Sequence, residues 1–109
     1  MRKSMLTGKQ KRFLRGIGHA LRPVVMVGKG EISEALIGET CQSLKAHELI
    51  KVKILESCLM DRNEVAIGLA DACDAEVAQV LGRTFLLYKE GEVQKIELPP
   101  DTTKSQKRD

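Results

Sequence analysis

Aromatic side chains are scarce in this chain of 109 residues. It contains no Trp, one Tyr and two Phe, and aromatic residues make up 3% of the sequence. Bases of single-stranded nucleic acids commonly stack on aromatic rings, and we assign Phe13, one of the three, to the core. The composition therefore disfavours a platform that stacks unpaired bases.

Long apolar runs and a cysteine framework are also missing. The longest uncharged apolar run, Pro23–Gly28, is far shorter than the roughly 18 residues that span a bilayer, and residues 1–8 lack the apolar stretch of a secretion signal. The cysteines at positions 41, 58 and 73 are odd in number and form no Cys-x-x-Cys pair. This favours reduced thiols over a disulfide framework or zinc site. Together, these features lead us to expect a cytoplasmic protein that neither spans a membrane nor binds a metal or cofactor.

No arrangement of residues typical of catalysis is visible. His19 and His47 have no partner at a spacing that suggests an acid–base pair or a metal site, and the serines lie in no nucleophile elbow. The carboxylates are spread over predicted helix surfaces. We therefore expect a protein that is not an enzyme.

Positive charge, in contrast, is concentrated in one segment. Residues 1–30 contain eight Lys or Arg and no Asp or Glu, although the whole chain is only +3. Without interspersed acids, this potential should attract a polyanion. An anionic membrane surface would feel the same attraction, but the apolar side of the segment is needed for the core.

The basic segment predicts an amphipathic helix from Lys9 to Leu21, capped by Thr7. At about 100° per residue, apolar side chains gather on one side, and Pro23 ends the helix. The basic side chains fall on the opposite side: Lys11, Arg12, Arg15, His19 and Arg22.

The remaining patterns predict six further elements. A buried strand, Val24–Val27, leads through a glycine turn into a helix from Ser33 to His47, followed by an alternating strand, Leu49–Leu55, that places Lys51 and Lys53 on one face. A third helix begins at Asp61 or Arg62 and ends at Cys73. The strands Val77–Leu81 and Thr84–Tyr88 follow, and Val93–Leu98 extends the last strand or pairs with it.

The order α-β-α-β-α-β-β predicts an α/β (α+β) two-layer sandwich, with three helices packed on a mixed sheet of about four strands. Residues 1–98 form a single domain, and residues 99–109 form a flexible polar tail.

The turn Gly28-Lys29-Gly30 is a possible phosphate-binding loop. Glycines let the backbone approach a phosphate, and the next helix presents its N–H groups there. Such a turn is more often only a connection, and this one matches neither a Walker A loop nor the dinucleotide-binding fingerprint.

Four blocks together resemble a known family, the CRM (chloroplast RNA splicing and ribosome maturation) domain in its stand-alone bacterial, YhbY-like form. The blocks are Leu6–Arg15, Val27–Gly30, His47–Lys53 and Gly82–Tyr88. The resemblance implies a fold like the carboxy-terminal domain of translation initiation factor three, RNA binding, and association with precursors of the large ribosomal subunit.

The family carries a KH-like Gly-x-x-Gly loop, and this sequence departs from it. Gly28 matches the first glycine, whereas Glu31 occupies the second glycine's position. We expect a carboxylate there to weaken phosphate binding by the loop, so that more of the affinity comes from the first helix. The alternative is that Glu31 acts only at the N-terminus of the next helix, where a carboxylate is favourable by about 0.3 to 1 kcal/mol.

We therefore expect a protein that binds structured rRNA in pre-large-subunit (pre-50S) particles through phosphate contacts. The alternative is an adaptor whose basic helix docks on an acidic protein surface. The oligomeric state stays open, with a monomer favoured. The expected RNA-binding residues are Lys9, Lys11, Arg12, Arg15, Arg22, Gly28, Lys29, Gly30, Lys51 and Lys53.

Overall fold

The computed structural model describes residues 6–91 and 96–99 and has the predicted element order. Three helices alternate with four strands. Their bounds are α1 Gly8–Gly18, β1 Pro23–Val27, α2 Glu34–His47, β2 Leu49–Ile54, α3 Arg62–Cys73, β3 Glu76–Leu81 and β4 Thr84–Tyr88. The predicted tail from residue 100 onward lies outside the described residues.

Side-chain caps determine where the helices begin. The hydroxyl of Thr7 accepts the Gln10 N–H while the Gln10 side chain accepts the Thr7 N–H, which completes a capping box. The hydroxyl of Ser33 and the carboxylate of Asp61 accept N–H groups in the first turns of α2 and α3. Each cap satisfies donors that the helix itself leaves unpaired, and the starts predicted at Thr7 and Ser33 are confirmed.

The sheet is mixed, with the strand order β1-β2-β4-β3. β1 and β2 are parallel and are connected through α2, while β4 is antiparallel to both β2 and β3. The carboxyl ends of β1 and β2 therefore lie at the same end of the sheet as the β3–β4 turn. This end carries the glycine turn that precedes α2.

The main core lies between one sheet face and the helices α2 and α3. Ile50, Val52 and Ile54 of β2 contribute to it, as do Leu44 of α2 and Leu69 of α3. All five side chains are buried, and burying a side chain of this size stabilises a fold by about 1.5 to 3 kcal/mol. The sheet with α2 and α3 forms the two layers of the sandwich.

The opposite sheet face is partly covered by α1. Leu14 of α1 packs with Leu49, Leu86 and Tyr88 of the sheet in a second, smaller core. Gly18 lies so close to the sheet that an added Cβ would stand 2.7 Å from Leu86 Cδ2. The contact between α1 and the sheet therefore depends on a residue without a side chain.

This close approach corrects two sequence-based expectations. α1 ends at Gly18 and not at Leu21, and Phe13, which we assigned to the core, is 41% exposed. Leu14 and Gly18 are buried, so the contact side of the helix is centred near them. Phe13 lies about 100° from Leu14 around the helix and therefore lies at the edge of the contact between α1 and the sheet.

β1 was expected to be buried on both faces, and this is wrong. Val25 and Val27 enter the main core, but Val24 is 46% exposed and Met26 50% exposed. β1 is an edge strand, and α1 covers the second face over β2, β4 and β3 instead. One side of β1 is therefore open.

The expectation of three reduced thiols is also wrong. Cys41 of α2 and Cys73 of α3 form a disulfide, with their Cα atoms 5.4 Å apart, and only Cys58 is a free, buried thiol. α2 and α3 lie side by side on the sheet, which brings together two residues that are 32 positions apart in sequence. Spacing along the chain contains no sign of this pairing.

Glu48 anchors the segment after β4. This buried residue has a positive φ of 64°, and its carboxylate accepts the N–H groups of Gly91 and Ile96, both at 2.9 Å. Ile96 and Leu98 pack against the second core. Of the predicted strand Val93–Leu98, residues 93–95 lie outside the described residues, and Ile96–Leu98 are not in a strand.

Candidate nucleic-acid interface

Several of the predicted cations lie on α1 or directly after it. Lys9 and Arg12 are exposed, Arg15 is half-buried, and Arg22 is exposed beyond the end of the helix. Lys9 and Arg12 lie on the side of α1 that faces away from Leu14, the centre of its contact with the sheet, whereas Arg15 lies at the flank, about 100° from Leu14. The predicted separation of an apolar side and a basic side therefore holds at Leu14 and Arg12 but not at Phe13, which is exposed, or at Lys11.

Lys11 occupies a different environment. It is half-buried and lines a groove of about 290 Å³ together with Asp71 of α3 and Glu76 of β3. Nearby carboxylates reduce the positive potential that Lys11 offers to an anionic ligand. The structure therefore separates Lys11 from the other cations of α1.

The open part of the sheet face lies beside α1. Lys51 and Lys53 share this face with Leu49, because side chains alternate along β2. Met26 of β1 pairs with Lys53, so the exposed apolar side of β1 adjoins the two lysines. Lys53 is exposed and Lys51 is half-buried, which places both predicted lysines on the face flanked by the basic helix.

The glycine loop is a tight turn. The N–H of Glu31 donates to the Gly28 carbonyl at 2.9 Å, and a Cβ at Gly28 would stand 3.2 Å from Ser57 Oγ. Gly30 borders open space and Lys29 is exposed. The backbone of the loop is therefore open at Gly30, beside the one exposed cation Lys29, while Gly28 lies against Ser57.

Glu31 is the unfavourable residue in this turn. Its φ is 54°, in the left-handed region that an L-residue with a side chain rarely adopts. The backbone thus keeps the conformation that a glycine would take most easily, although glutamate stands there. A glycine at this position, as the Gly-x-x-Gly resemblance implies, would adopt this conformation without strain.

Arg83, which was absent from the predicted set, lies at the same end of the sheet as this loop. Its carbonyl accepts the Ile54 N–H at 2.7 Å, and its guanidinium donates to the Leu55 carbonyl at 3.1 Å. The Leu55 N–H in turn donates to the carbonyl of Val27, next to Gly28. The strand order brings these segments together. The sequence pattern alone therefore contained no signal that the turn Gly82-Arg83 lies near the glycine loop.

The loop end of the sheet is mixed in charge. Lys29, Lys53 and Arg83 are accompanied there by Glu31 and by exposed Glu56. The side of α1 that faces solvent contains no acidic residue. A polyanion would therefore meet the stronger positive potential at α1 and a weaker one at the loop.

Two further features concern metal binding and membrane spanning. Over residues 6–91 and 96–99, no three His, Cys, Asp or Glu side chains are grouped to hold a metal ion. Among the same residues, no helix is long and apolar enough to cross a membrane. His19, which follows α1, and His47, the last residue of α2, are both exposed.

Comparison with known proteins identifies the family. The CRS1/YhbY (CRM) domain pattern matches residues 6–89. The chain belongs to this family. The match spans the seven elements of the fold, and the resemblance drawn from the four sequence blocks is confirmed.

Relatives of this CRM protein occur in bacteria and archaea. It is 47% identical over 96 residues to YqeI of Bacillus subtilis, named a probable RNA-binding protein, covering 87% of this chain and all of that one. A probable RNA-binding protein of Methanocaldococcus jannaschii is 46% identical over 98% of this chain and 81% of its own length. The solution structure of SAV1595 from Staphylococcus aureus superimposes with a TM-score of 0.75 at 43% identity, over 87% of this chain and all of that one. The fold class predicted from the element order is confirmed.

Proposed function

We propose that this CRM protein binds structured RNA, chiefly through phosphate contacts, and that it is not an enzyme. The observation that supports this most strongly is the exposed side of α1, where the cations of an acid-free segment remain available after the apolar side has packed on the sheet. The curated relatives named as RNA-binding proteins support the same ligand class.

The phosphate-binding surface that we propose has two parts. The first consists of α1 and the open sheet face, where neutralised phosphates release bound counterions and give affinity without base readout. The second is the glycine loop, with Arg83 as an additional cation. The contributing residues are Lys9, Arg12, Arg15, Arg22, Lys51 and Lys53 in the first part, and Gly28, Lys29, Gly30 and Arg83 in the second; Lys11 contributes least.

A charge-reversal series tests the phosphate contacts. The slope of log K against log salt is negative, and each lost contact should reduce its magnitude by about 0.9 on a duplex. If the affinities at 1 M salt are equal, this change corresponds to roughly fivefold weaker binding at 0.15 M salt. Arg12→Glu should show at least this loss on every RNA sequence, and the pair Arg12→Glu with Arg15→Glu a larger one. Lys45→Glu is the control, because Lys45 is also an exposed cation but lies at the carboxyl end of α2.

Two results would contradict the phosphate-contact proposal. One is a loss of binding confined to a single RNA sequence, which would indicate base readout by the arginines. The other is an equal loss from Arg12→Glu and Lys45→Glu, which would indicate only the effect of net charge.

We further propose that the RNA is rRNA in precursors of the large ribosomal subunit, in the cytoplasm. This part of the proposal is supported by family membership. Sucrose-gradient fractionation tests it: the protein should sediment with pre-50S particles, and a protein found only at the top of the gradient would contradict the assignment.

The second candidate is an adaptor for an acidic surface of a ribosomal protein or assembly factor. Leu59 and Leu81 are 87% and 62% exposed and would provide apolar contacts to such a partner. Filter binding to structured rRNA at about 0.15 M salt separates the two functions, because an adaptor would show no saturable RNA binding.

A further inference from the structure

A cleft that is not part of the phosphate-binding loop opens between α1 and the adjoining edge of the sheet. Its volume is about 350 Å³, which is within the range of small-ligand pockets. Ile17 and Leu21 form one wall, and Val24 and Leu49 form the other. The cleft exists because α1 covers Leu49 but leaves Val24 of the edge strand open.

The rim of this cleft is basic. Arg22, His47 and Lys51 border it, and no acidic side chain is among its lining residues in the described part of the chain. An occupant should therefore have a compact apolar body with negative charge beside it. Because Ile17 of α1 and the residues shortly after the helix, Leu21 and Arg22, border the cleft, it adjoins the basic side of that helix.

We propose that this cleft binds one unstacked nucleobase of the RNA while Arg22 and Lys51 contact the phosphates on either side of it. This inference rests on the proposed function and refines its ligand class. A nucleobase has flat apolar faces that suit aliphatic walls, and its polar edge can hydrogen-bond to Lys51 or His47 at the rim. The phosphates of the same strand match the charge of the rim.

The consequence is a preference among structured RNAs. A continuous duplex keeps its bases stacked and cannot fill the cleft, whereas a bulge or loop supplies an unstacked base at little cost. The preferred ligand is thus a folded RNA that combines paired segments with at least one unpaired nucleotide. The scarcity of aromatic residues does not prevent base recognition here, because the aliphatic walls replace a stacking ring.

Two RNA hairpins of equal length and charge test the proposal. Both are closed by the same tetraloop with stacked bases; one has a fully paired stem and the other has a single bulged 2-aminopurine in its stem. The wild-type protein should bind the bulged hairpin roughly tenfold more tightly, a ratio that corresponds to about 1.4 kcal/mol. The fluorescence of 2-aminopurine should change on binding as the base enters the cleft.

Val24→Gln should remove most of this preference and most of the fluorescence change while the affinity for the paired hairpin stays constant. Met26→Gln is the matched control, because Met26 is equally exposed on the same side of β1 but does not line the cleft. Thermal unfolding verifies that both variants are folded, and the fluorescence of the wild-type complex tests base insertion independently of any variant.

Each contrary result has a distinct meaning. Equal affinity for the two hairpins, with no fluorescence change, overturns the nucleobase site while leaving phosphate binding intact. An equal loss of the preference for the bulged hairpin in Val24→Gln and Met26→Gln also overturns it. Binding of a fatty acid in the cleft, together with no preference between the two RNAs, overturns it as well. Failure to bind either hairpin contradicts the proposed function itself.

Discussion

Replacing Glu31 with glycine should make this protein both more stable and a tighter RNA binder. Glu31 has a φ of 54°, and the left-handed conformation costs a non-glycine residue about 1 to 2 kcal/mol. Glycine removes this strain, but it also gives the unfolded chain more freedom, which costs about 0.4 to 1 kcal/mol. The free energy of unfolding should therefore rise by between about 0 and 1.6 kcal/mol.

The effect on binding has a different physical origin. Glu31 adds a negative charge to the loop that carries Lys29, and two unit charges 4 Å apart in water interact by about 1 kcal/mol. Removing the carboxylate should therefore tighten binding by about twofold to fivefold, and less at high salt because exposed charges are screened. The Gly-x-x-Gly pattern would at the same time be restored at Gly28 and position 31.

Glu31→Gln separates the two effects, because it removes the charge and keeps the strained backbone. It should tighten RNA binding as Glu31→Gly does without the gain in stability, whereas Glu39→Gln, at an exposed position on α2, should change neither. Urea unfolding and RNA titrations at several salt concentrations provide the measurements. A Glu31→Gly variant that is less stable than the wild type would refute the strain argument. Unchanged RNA affinity in both Glu31→Gly and Glu31→Gln would show that the loop is not part of the RNA interface.

Two further predictions concern the fold. Gly18→Ala should lower the free energy of unfolding by about 1 to 3 kcal/mol, because its Cβ would overpack the contact between α1 and the sheet. Gly16→Ala, where a Cβ meets nothing within 4 Å, should instead raise the free energy of unfolding by about 0.5 to 1 kcal/mol. Equal effects of the two variants in urea unfolding would contradict the close approach of Gly18 to the sheet. Reducing the Cys41–Cys73 disulfide, which closes a loop of 32 residues, should lower the free energy of unfolding by about 3 to 4 kcal/mol. A thiol reagent should detect one free thiol, that of Cys58, in the unreduced, denatured protein, and a count of three would disprove the pairing.

The secondary structure was largely predictable because its signals are local. A cap such as Thr7 or Ser33 satisfies donors within its own turn, and the alternation along β2 follows from the geometry of a strand. Each signal needs only a few consecutive residues. The order of the elements, and with it the fold class, could therefore be predicted before any tertiary contact was known.

The errors concern contacts between elements that are distant in sequence. Phe13 was placed in the core because the helical period alone does not define how the helix is rotated on the sheet; the approach of Gly18 to Leu86 does. The pairing of Cys41 with Cys73 depends on α2 and α3 lying side by side. Neither contact has a signature within its own stretch of sequence.

The candidate site divides in the same way. The amino-acid sequence by itself determined the sign and concentration of the charge, since an acid-free basic segment stays basic in any fold. Only the tertiary structure decided how that charge is arranged, because α1 packs over β2 and leaves β1 open. That packing separates Lys11 from the other cations and forms the basic-rimmed cleft at Val24, while the strand order places Arg83 beside the glycine loop.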